Sequence, residues 1–401
     1  MYLYNVTHEK HLMMNIQFKK FFLFSLPASL LAGGMLSCSS GATSLTKSGL
    51  DPANFESTYE NAPTKLYVLS NDNGAEACIT NFGGRVVSLM IPDRDGKLRN
   101  VVLGMDSVAS YFPENNLSDL GSSVGRYANR IKDGRFVLDG DTAVLPQNNF
   151  GHCLHGGGEM GTKGWQYRVY NATQPNDSTL VLTIDSPDGD NGFPGAVKAQ
   201  VTYTLRGDNS LDIAYEANTD KPTVINMTNH NYFNLGGDPD KKITDHELFV
   251  DADSFTPIDS TYMTTGEFRK VEGSPFDFRN SKPVGKDIAA NDDQIRFGNG
   301  YDHNFVLNTG GDISRPAATL YSADSGILLT VYTTEPGVQV YSGNFLDGSL
   351  SGGGKVFGQR AGICLETQHY PDSPNKPEWP SSRLNPGEKY TSHTIYKFDT
   401  K

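Results

Sequence analysis

Val197-Lys-Ala-Gln-Val-Thr-Tyr-Thr-Leu205 runs through Arg206-Gly-Asp-Asn209 into Ser210-Leu-Asp-Ile-Ala-Tyr-Glu-Ala217. In the first run Val197, Ala199, Val201, Tyr203 and Leu205 alternate with polar residues. In the second, Leu211, Ile213, Tyr215 and Ala217 alternate with polar or small ones. Successive side chains of a strand point to opposite faces, so this period-2 pattern predicts two strands, each with one buried face. The Gly-Asp-Asn between them is turn chemistry and predicts an antiparallel hairpin. Shorter runs of the same kind occur at 76–81, 85–91, 180–185, 327–332 and 338–341. No amphipathic helical pattern exceeds two or three turns, and 107–112 has the length of one short turn. The chain is therefore expected to be all-β, a large antiparallel β-sandwich.

Composition agrees with that expectation. Hydrophobic residues make up 37% of the 401 residues and glycines number 42, which allows a core cut by many turns. All-β chains of well over 200 residues often form one unit. With no internal repeat and no second linker after residue 62, residues 63–401 are read as one domain. The balance of 34 Lys+Arg against 46 Asp+Glu gives a net charge of -12, which repels phosphate backbones and anionic membrane surfaces. Nucleic acid is excluded as an expected partner.

The N-terminus reads as a targeting segment. Lys19 and Lys20 precede an apolar stretch over 21–36, the length of a signal-peptide core and short for a membrane span. It ends Gly34-Met-Leu-Ser-Cys-Ser-Ser40, which resembles a bacterial lipobox with Cys38 as the lipidated residue. Met35 and Leu36 depart from the usual pattern, so cleavage without lipidation stays open, and Met14 offers an alternative start. Residues 1–38 are thus read as leader and residues 39–62, rich in Ser, Thr, Gly and Asn, as a flexible tether. The protein is expected in a bacterial cell envelope, touching membrane only through that anchor, and acting as a monomer. With Cys38 set aside, Cys78, Cys153 and Cys364 are three widely spaced thiols, no disulfide framework, and are read as packing residues.

Four segments carry candidate chemistry. In Gly362-Ile-Cys-Leu-Glu-Thr-Gln-His-Tyr-Pro-Asp-Ser373 a carboxylate, Glu366, sits inside an apolar, strand-like run. Glu is seldom buried unless paired or working, and a desolvated Glu has its pKa pushed towards the range useful for proton transfer. A salt-bridged structural role is the competing reading. Gly151-His-Cys-Leu-His-Gly-Gly157 holds His152 and His155 at a spacing that suits metal ligands on a helix, but the glycines that follow argue against a helix. In Asn229-His-Asn-Tyr-Phe-Asn-Leu235, His230 has amide and aromatic neighbours. Gly300-Tyr-Asp-His-Asn-Phe305 supplies Asp302, a hydroxyl acceptor or a turn cap. Asn129 and Arg130, in Gly-Arg-Tyr-Ala-Asn-Arg-Ile, and Gln339 add planar hydrogen-bonding groups of the kind that grip sugar hydroxyls. On local sequence alone, Arg126 and Arg130 read as surface cations. Asp188-Gly-Asp-Asn-Gly192 hints at calcium but lacks the remaining loop ligands, so no metal site is assigned.

Together the four segments resemble the aldose 1-epimerase, or galactose mutarotase, family, over roughly residues 66–396. The resemblance implies a sandwich of the galactose mutarotase type and interconversion of α and β anomers of aldohexoses such as glucose and galactose. It implies Glu366 as general base, His230 as general acid and His155 as an assistant at the ring-oxygen side. Asn129, Arg130, Tyr232, Asp302 and Gln339 would line the sugar pocket. No cofactor is required by such chemistry; a structural or site-shaping calcium stays open, without support from the motifs. The rival readings are a glycoside hydrolase using Asp302 and Glu366, and a non-catalytic carbohydrate-binding lipoprotein.

Overall fold

The hairpin expected from period-2 alternation forms as Val197–Leu205 paired antiparallel with Ser210–Thr219, Val201 opposite Tyr215. This is seen in a computed structural model that describes residues 44–158 and 163–401. The hairpin belongs to a nine-stranded antiparallel sheet whose central and longest strand, Tyr390–Thr400, lies between Ser210–Thr219 and Ile327–Thr333. A six-stranded sheet runs in the order Tyr232–Phe233, Ile363–Gln368, Gly337–Tyr341, Asp302–Leu307, Ala252–Thr256 and Arg269–Lys270. A four-stranded sheet is built from Leu66–Ser70, Glu76–Thr80, Arg85–Pro92 and Leu98–Asn100. Neighbouring strands are antiparallel within each of the three. The only α-helix among the described residues is Asp293–Gly298, and the short turn expected at 107–112 is a 3-10 turn over Val108–Tyr111.

The six-stranded sheet packs on the nine-stranded one through the side chains that alternation sends inwards. Ile363, Leu365, Val338, Val340 and Phe305 join Val201, Tyr203, Ile213 and Tyr396 in one buried cluster. Tyr396 Oη donates to the Leu365 carbonyl at 2.8 Å and the hydroxyls of Thr367 and Thr394 meet at 2.5 Å, tying the sheets together. The consequence for function is geometric. If 363, 365 and 367 face the core, 364 and 366 face the other way. Register then aligns two polar rows on that outer face: Asn304, Gln339 and Glu366 in one, and Asp302, Tyr341, Cys364 and Tyr232 in the other.

The tether expected over 39–62 needs correction where it is described. Asp51 caps a 3-10 turn, Pro52–Phe55, by accepting from the Ala53 N–H at 3.0 Å, with Pro52 at the position where its missing N–H is harmless. A hairpin, Ser57–Tyr59 with Ala62–Thr64, follows. Leu50, Phe55 and Tyr59 are buried in a second core cluster with Phe82, Val87 and Phe112. Three large apolar side chains in a polar segment outweigh its linker-like composition, because each is favoured in the core by about 1.5–3 kcal/mol. The leader, Lys19, Lys20, Cys38 and the rest of 1–43 lie outside the described residues.

Candidate active site

Glu366 is 2% exposed, and its position follows from the alternation just described. Its Oε1 lies 3.6 Å from His230 Nε2, and its Oε2 has no hydrogen-bond partner among the described residues. A buried acceptor of this kind costs free energy unless a ligand or water meets it. Burial pushes the Glu366 carboxyl well above its ordinary value, the charges of Asp302 and Asp119 push it further, and Arg130 pulls the other way. His230 is held by a turn of backbone: its N–H donates to the Ser122 carbonyl and its own carbonyl accepts from Gly121 N–H, both at 2.9 Å. Its ring stacks on Tyr232 at 5.1 Å, and Nδ1 is 3.5 Å from Cys364 Sγ. Burial lowers its pKa, against the opposing charge of Asp119. Burial thus drives both members of the pair towards their neutral forms, and at 3.6 Å the pairing does not reverse it.

His155 faces His230 edge to face at 5.4 Å. It and Asn129 both have positive φ, 51° and 60°, and brace each other. His155 N–H donates to the Asn129 carbonyl at 3.1 Å, and the Asn129 N–H donates to His155 Nδ1 at 3.2 Å. With Nδ1 an acceptor, the neutral ring carries its proton on Nε2. Burial brings its pKa down to about 3, so the ring is a neutral donor. Left-handed backbone at a His costs of order 1–3 kcal/mol and persists where surrounding structure enforces it, as such strain does at functional sites.

A cavity of about 340 Å³ is lined by Asn129, Arg130, His155, His230, Asp302, Gln339 and Glu366. That volume lies within the usual range for a small-molecule site. Arg130 is buried rather than a surface cation, and its Nε and Nη2 donate to Asn149 Oδ1 at 3.1 and 2.9 Å. Arg126 is buried as well, spent on the carbonyls of Pro194 and Gly195 and on Ser186. Gln339 Nε2 donates to Asp302 Oδ1 at 2.7 Å, leaving Gln339 Oε1 without a partner among the described residues. Burial raises the Asp302 pKa, and Arg130 and the Gln339 hydrogen bond restrain it. Tyr232, expected to touch sugar, is not a wall of this cavity: it backs His230 and meets Tyr341 edge to face. His152 is absent from the cavity too; its Nδ1 accepts from Asp133 N–H and its Nε2 pairs with Thr261. The two histidines of His-Cys-Leu-His therefore do not act as one ligand pair.

Asp188 and Asp190 are engaged by Lys221 and Arg168, which makes that turn an ion-paired one. Cys78, Cys153 and Cys364 are free and buried. Among the described residues, two groups do have metal-ligand donor types with their atoms within 4.8 Å of one another: Asp119 with His155 and His230, and His230 with Cys364 and Glu366.

Sequence reasoning missed the rim. Phe150 and Phe345 are exposed, and Tyr262 bridges them with ring centroids 5.5 and 5.7 Å away. Tyr262 also lies 5.2 Å beneath the Arg130 guanidinium. Asp119, in Ser-Asp-Leu-Gly-Ser-Ser, was missed as well; a lone acidic residue in a loop carries no signal in sequence. What the pocket offers is planar polar groups on its floor, aromatic faces at its mouth, and one buried carboxyl opposite one buried imidazole.

A sequence profile of the aldose 1-epimerase family matches residues 65–397. The chain is 40% identical over 338 residues to the aldose 1-epimerase of Escherichia coli (strain K12), covering 84% of this chain and 95% of that protein. It is 41% identical over 321 residues to the galactose mutarotase of Rattus norvegicus, covering 80% and 90%. Among solved structures, the galactose 1-epimerase of Lactobacillus acidophilus NCFM superposes with a TM-score of 0.75 at 31% identity, covering 86% of this chain and 97% of that one. The aldose epimerase homologue of C. elegans does so with a TM-score of 0.76 at 29% identity, covering 84% and 99%.

Proposed function

The chain belongs to the aldose 1-epimerase family and is an isomerase of that activity on a galactose mutarotase-like fold, and from that premise we propose that Glu366 is its general base and His230 its general acid. The carrying observation is the 3.6 Å approach of a buried carboxyl and a buried imidazole on the floor of one polar cavity. Glu366 takes the proton of the C1 hydroxyl while His230 Nε2–H protonates the ring oxygen. The bond between C1 and the ring oxygen breaks and a C1 carbonyl forms. Rotation about C1–C2 presents the other carbonyl face, the ring oxygen adds back, and both protons return with the roles exchanged. A positioned acid or base contributes about 100- to 10,000-fold, and because the reaction involves no net electron transfer it needs no redox cofactor. His155 Nε2–H steadies the ring-oxygen side. Asn129, Arg130, Asp302 and Gln339 hold the hydroxyls, and the rim rings cover the apolar face of an aldohexose such as glucose or galactose.

Polarimetry on freshly dissolved α-glucose and α-galactose tests this, with and without EDTA. Catalysed mutarotation that survives chelation is expected, and turnover lost to EDTA and restored by one divalent ion would overturn the cofactor-free route. We further propose that residues 1–38 are a leader and that the protein is held in a bacterial envelope by lipid on Cys38, supported by Lys19, Lys20 and the apolar run before it. Mass spectrometry of the mature N-terminus checks that: a chain starting downstream of Cys38 refutes it.

A further inference from the structure

Asp119 stands against the acid-base pair. Its carboxylate, a ring nitrogen of His155 and a ring nitrogen of His230 all lie within 4.8 Å of one another, and it lines the same cavity as Glu366. The loop that bears it is fixed to His230 itself. Gly121 N–H and Ser122 carbonyl clasp the two backbone groups of His230, and Asn229 Nδ2 donates to the Gly121 carbonyl at 3.1 Å. Ser122 closes the turn back onto the Asp119 carbonyl, N–H at 3.0 Å and Oγ at 2.9 Å. Beneath it, buried Arg85 donates to the Leu120 carbonyl at 2.8 Å. Tyr167 Oη donates to Asp119 Oδ1 at 3.4 Å. The carboxylate is therefore carried by the same hydrogen-bonded unit that positions the imidazole.

The reaction sets a problem that this arrangement answers. Ring opening needs carboxylate at 366 and imidazolium at 230 together. Burial favours the opposite distribution of their proton, carboxylic acid and neutral imidazole, in which neither group can perform its step. We propose that Asp119 is a positioning residue for the acid: its charge draws the shared proton from Glu366 to His230, so that the productive ionic pair is populated when sugar binds. This inference rests on the assignment of Glu366 as base and His230 as acid.

The surroundings of His230 are accounted for on each side. Tyr232 stacks on it, Tyr341 and His155 meet it edge to face, and Cys364 and Glu366 lie at its two ring nitrogens. Among charges, Asp119 favours the imidazolium and Arg85 opposes it. Asp119 also disfavours an ionised Glu366, but there it ranks behind Asp302, whereas at His230 and at His155 it is the leading charge. Its carboxylate lies within 4.8 Å of the His155 and His230 rings, so its charge bears directly on the acid. His155, the other ring in reach, is held neutral by deep burial and by its Nδ1 acceptor role.

The test is the pH dependence of kcat and KM for mutarotation in Asp119→Asn. Because burial puts His230 below and Glu366 above their ordinary values, the acidic limb of the profile reports His230. At a few ångströms from a partly solvated carboxylate, a shift of about one pH unit is the scale expected. The variant should therefore lose roughly tenfold in kcat at its optimum, move its acidic limb down by about one unit, and keep KM close to wild type. Asp119→Glu should restore part of the limb position. Ring chemical shifts of His230 followed by NMR titration should move in the same direction and are readable at any activity. A wild-type profile in folded Asp119→Asn, or a loss of kcat with both limbs in place, would overturn the proposal. Glu366→Gln and His230→Asn in the same assay separate the two layers. If they retain activity, the underlying assignment fails; if they are inactive while Asp119→Asn keeps the wild-type profile, only the role of Asp119 fails.

Discussion

Replacing Glu366 by Gln distinguishes a working carboxyl from a structural one, because the two predict opposite changes in stability. As base, Glu366 contributes two to four decades of rate, about 3–5 kcal/mol of transition-state stabilisation. The folded state gains little from it: Oε2 has no partner among the described residues, and the approach to His230 is 3.6 Å. Burial raises its pKa well above the ordinary 4.5. The sign follows from that direction. As pH climbs past 4.5, the unfolded chain ionises freely while the folded chain must keep the proton or bury a charge, so stability falls until the folded-state value is passed. Gln removes that slope at the cost of a neutral amide. Such a buried polar mismatch is worth about 1–3 kcal/mol, or a few degrees of Tm in a chain of this size. Glu366→Gln should therefore lose roughly 100- to 10,000-fold in kcat by polarimetry while its Tm matches or exceeds wild type. The Tm advantage should widen between pH 5 and 7. A structural, paired Glu gives the reverse, a Tm several degrees lower with turnover largely kept, and that result would refute the reasoning.

Asp302→Asn should weaken sugar affinity more than folding, since its carboxylate meets Gln339 and, in the proposed site, accepts from one substrate hydroxyl; a lost charged hydrogen bond of about 1.5–3 kcal/mol predicts a kcat/KM lower by roughly tenfold to a hundredfold. The pair of His369 Nδ1 and Glu335 Oε2, 2.7 Å apart and outside the pocket, gives a pH signature of stability. Burial lowers the His369 pKa, but the hydrogen bond and charge of Glu335 outweigh it and the net shift is upward from 6.5, so the pair stabilises fully below 6.5 and less as pH rises through the folded value. Glu335→Gln should lower Tm most in acid and flatten its decline from pH 6 to 8. Phe55→Ala, at a fully buried side chain, should cost about 3–5 kcal/mol in denaturant unfolding, where a flexible tether predicts no effect.

How much of the site is legible in the sequence depends on the range over which each physical signal acts. Glu366 was legible because alternation is local: Ile363, Leu365 and Thr367 turn to the core, so the carboxyl between them must face the cavity. Asn129, Arg130, His155, His230, Asp302 and Gln339 were legible only as a set, through the resemblance. Tyr232, which the resemblance implies as a wall of the sugar pocket, instead stacks on His230 and supports it.

An antiparallel β protein with one carboxyl set in an apolar strand is legible from neighbouring residues alone, because period-2 burial and turn chemistry are local properties. Which cations are buried, that Leu50, Phe55 and Tyr59 pack into the core, and that Asp119 meets His155 and His230 are set by the assembled fold. Those outcomes depend on pairings between segments far apart in the chain. A loop carboxylate is indistinguishable from any solvated one until the fold sets an imidazole beside it.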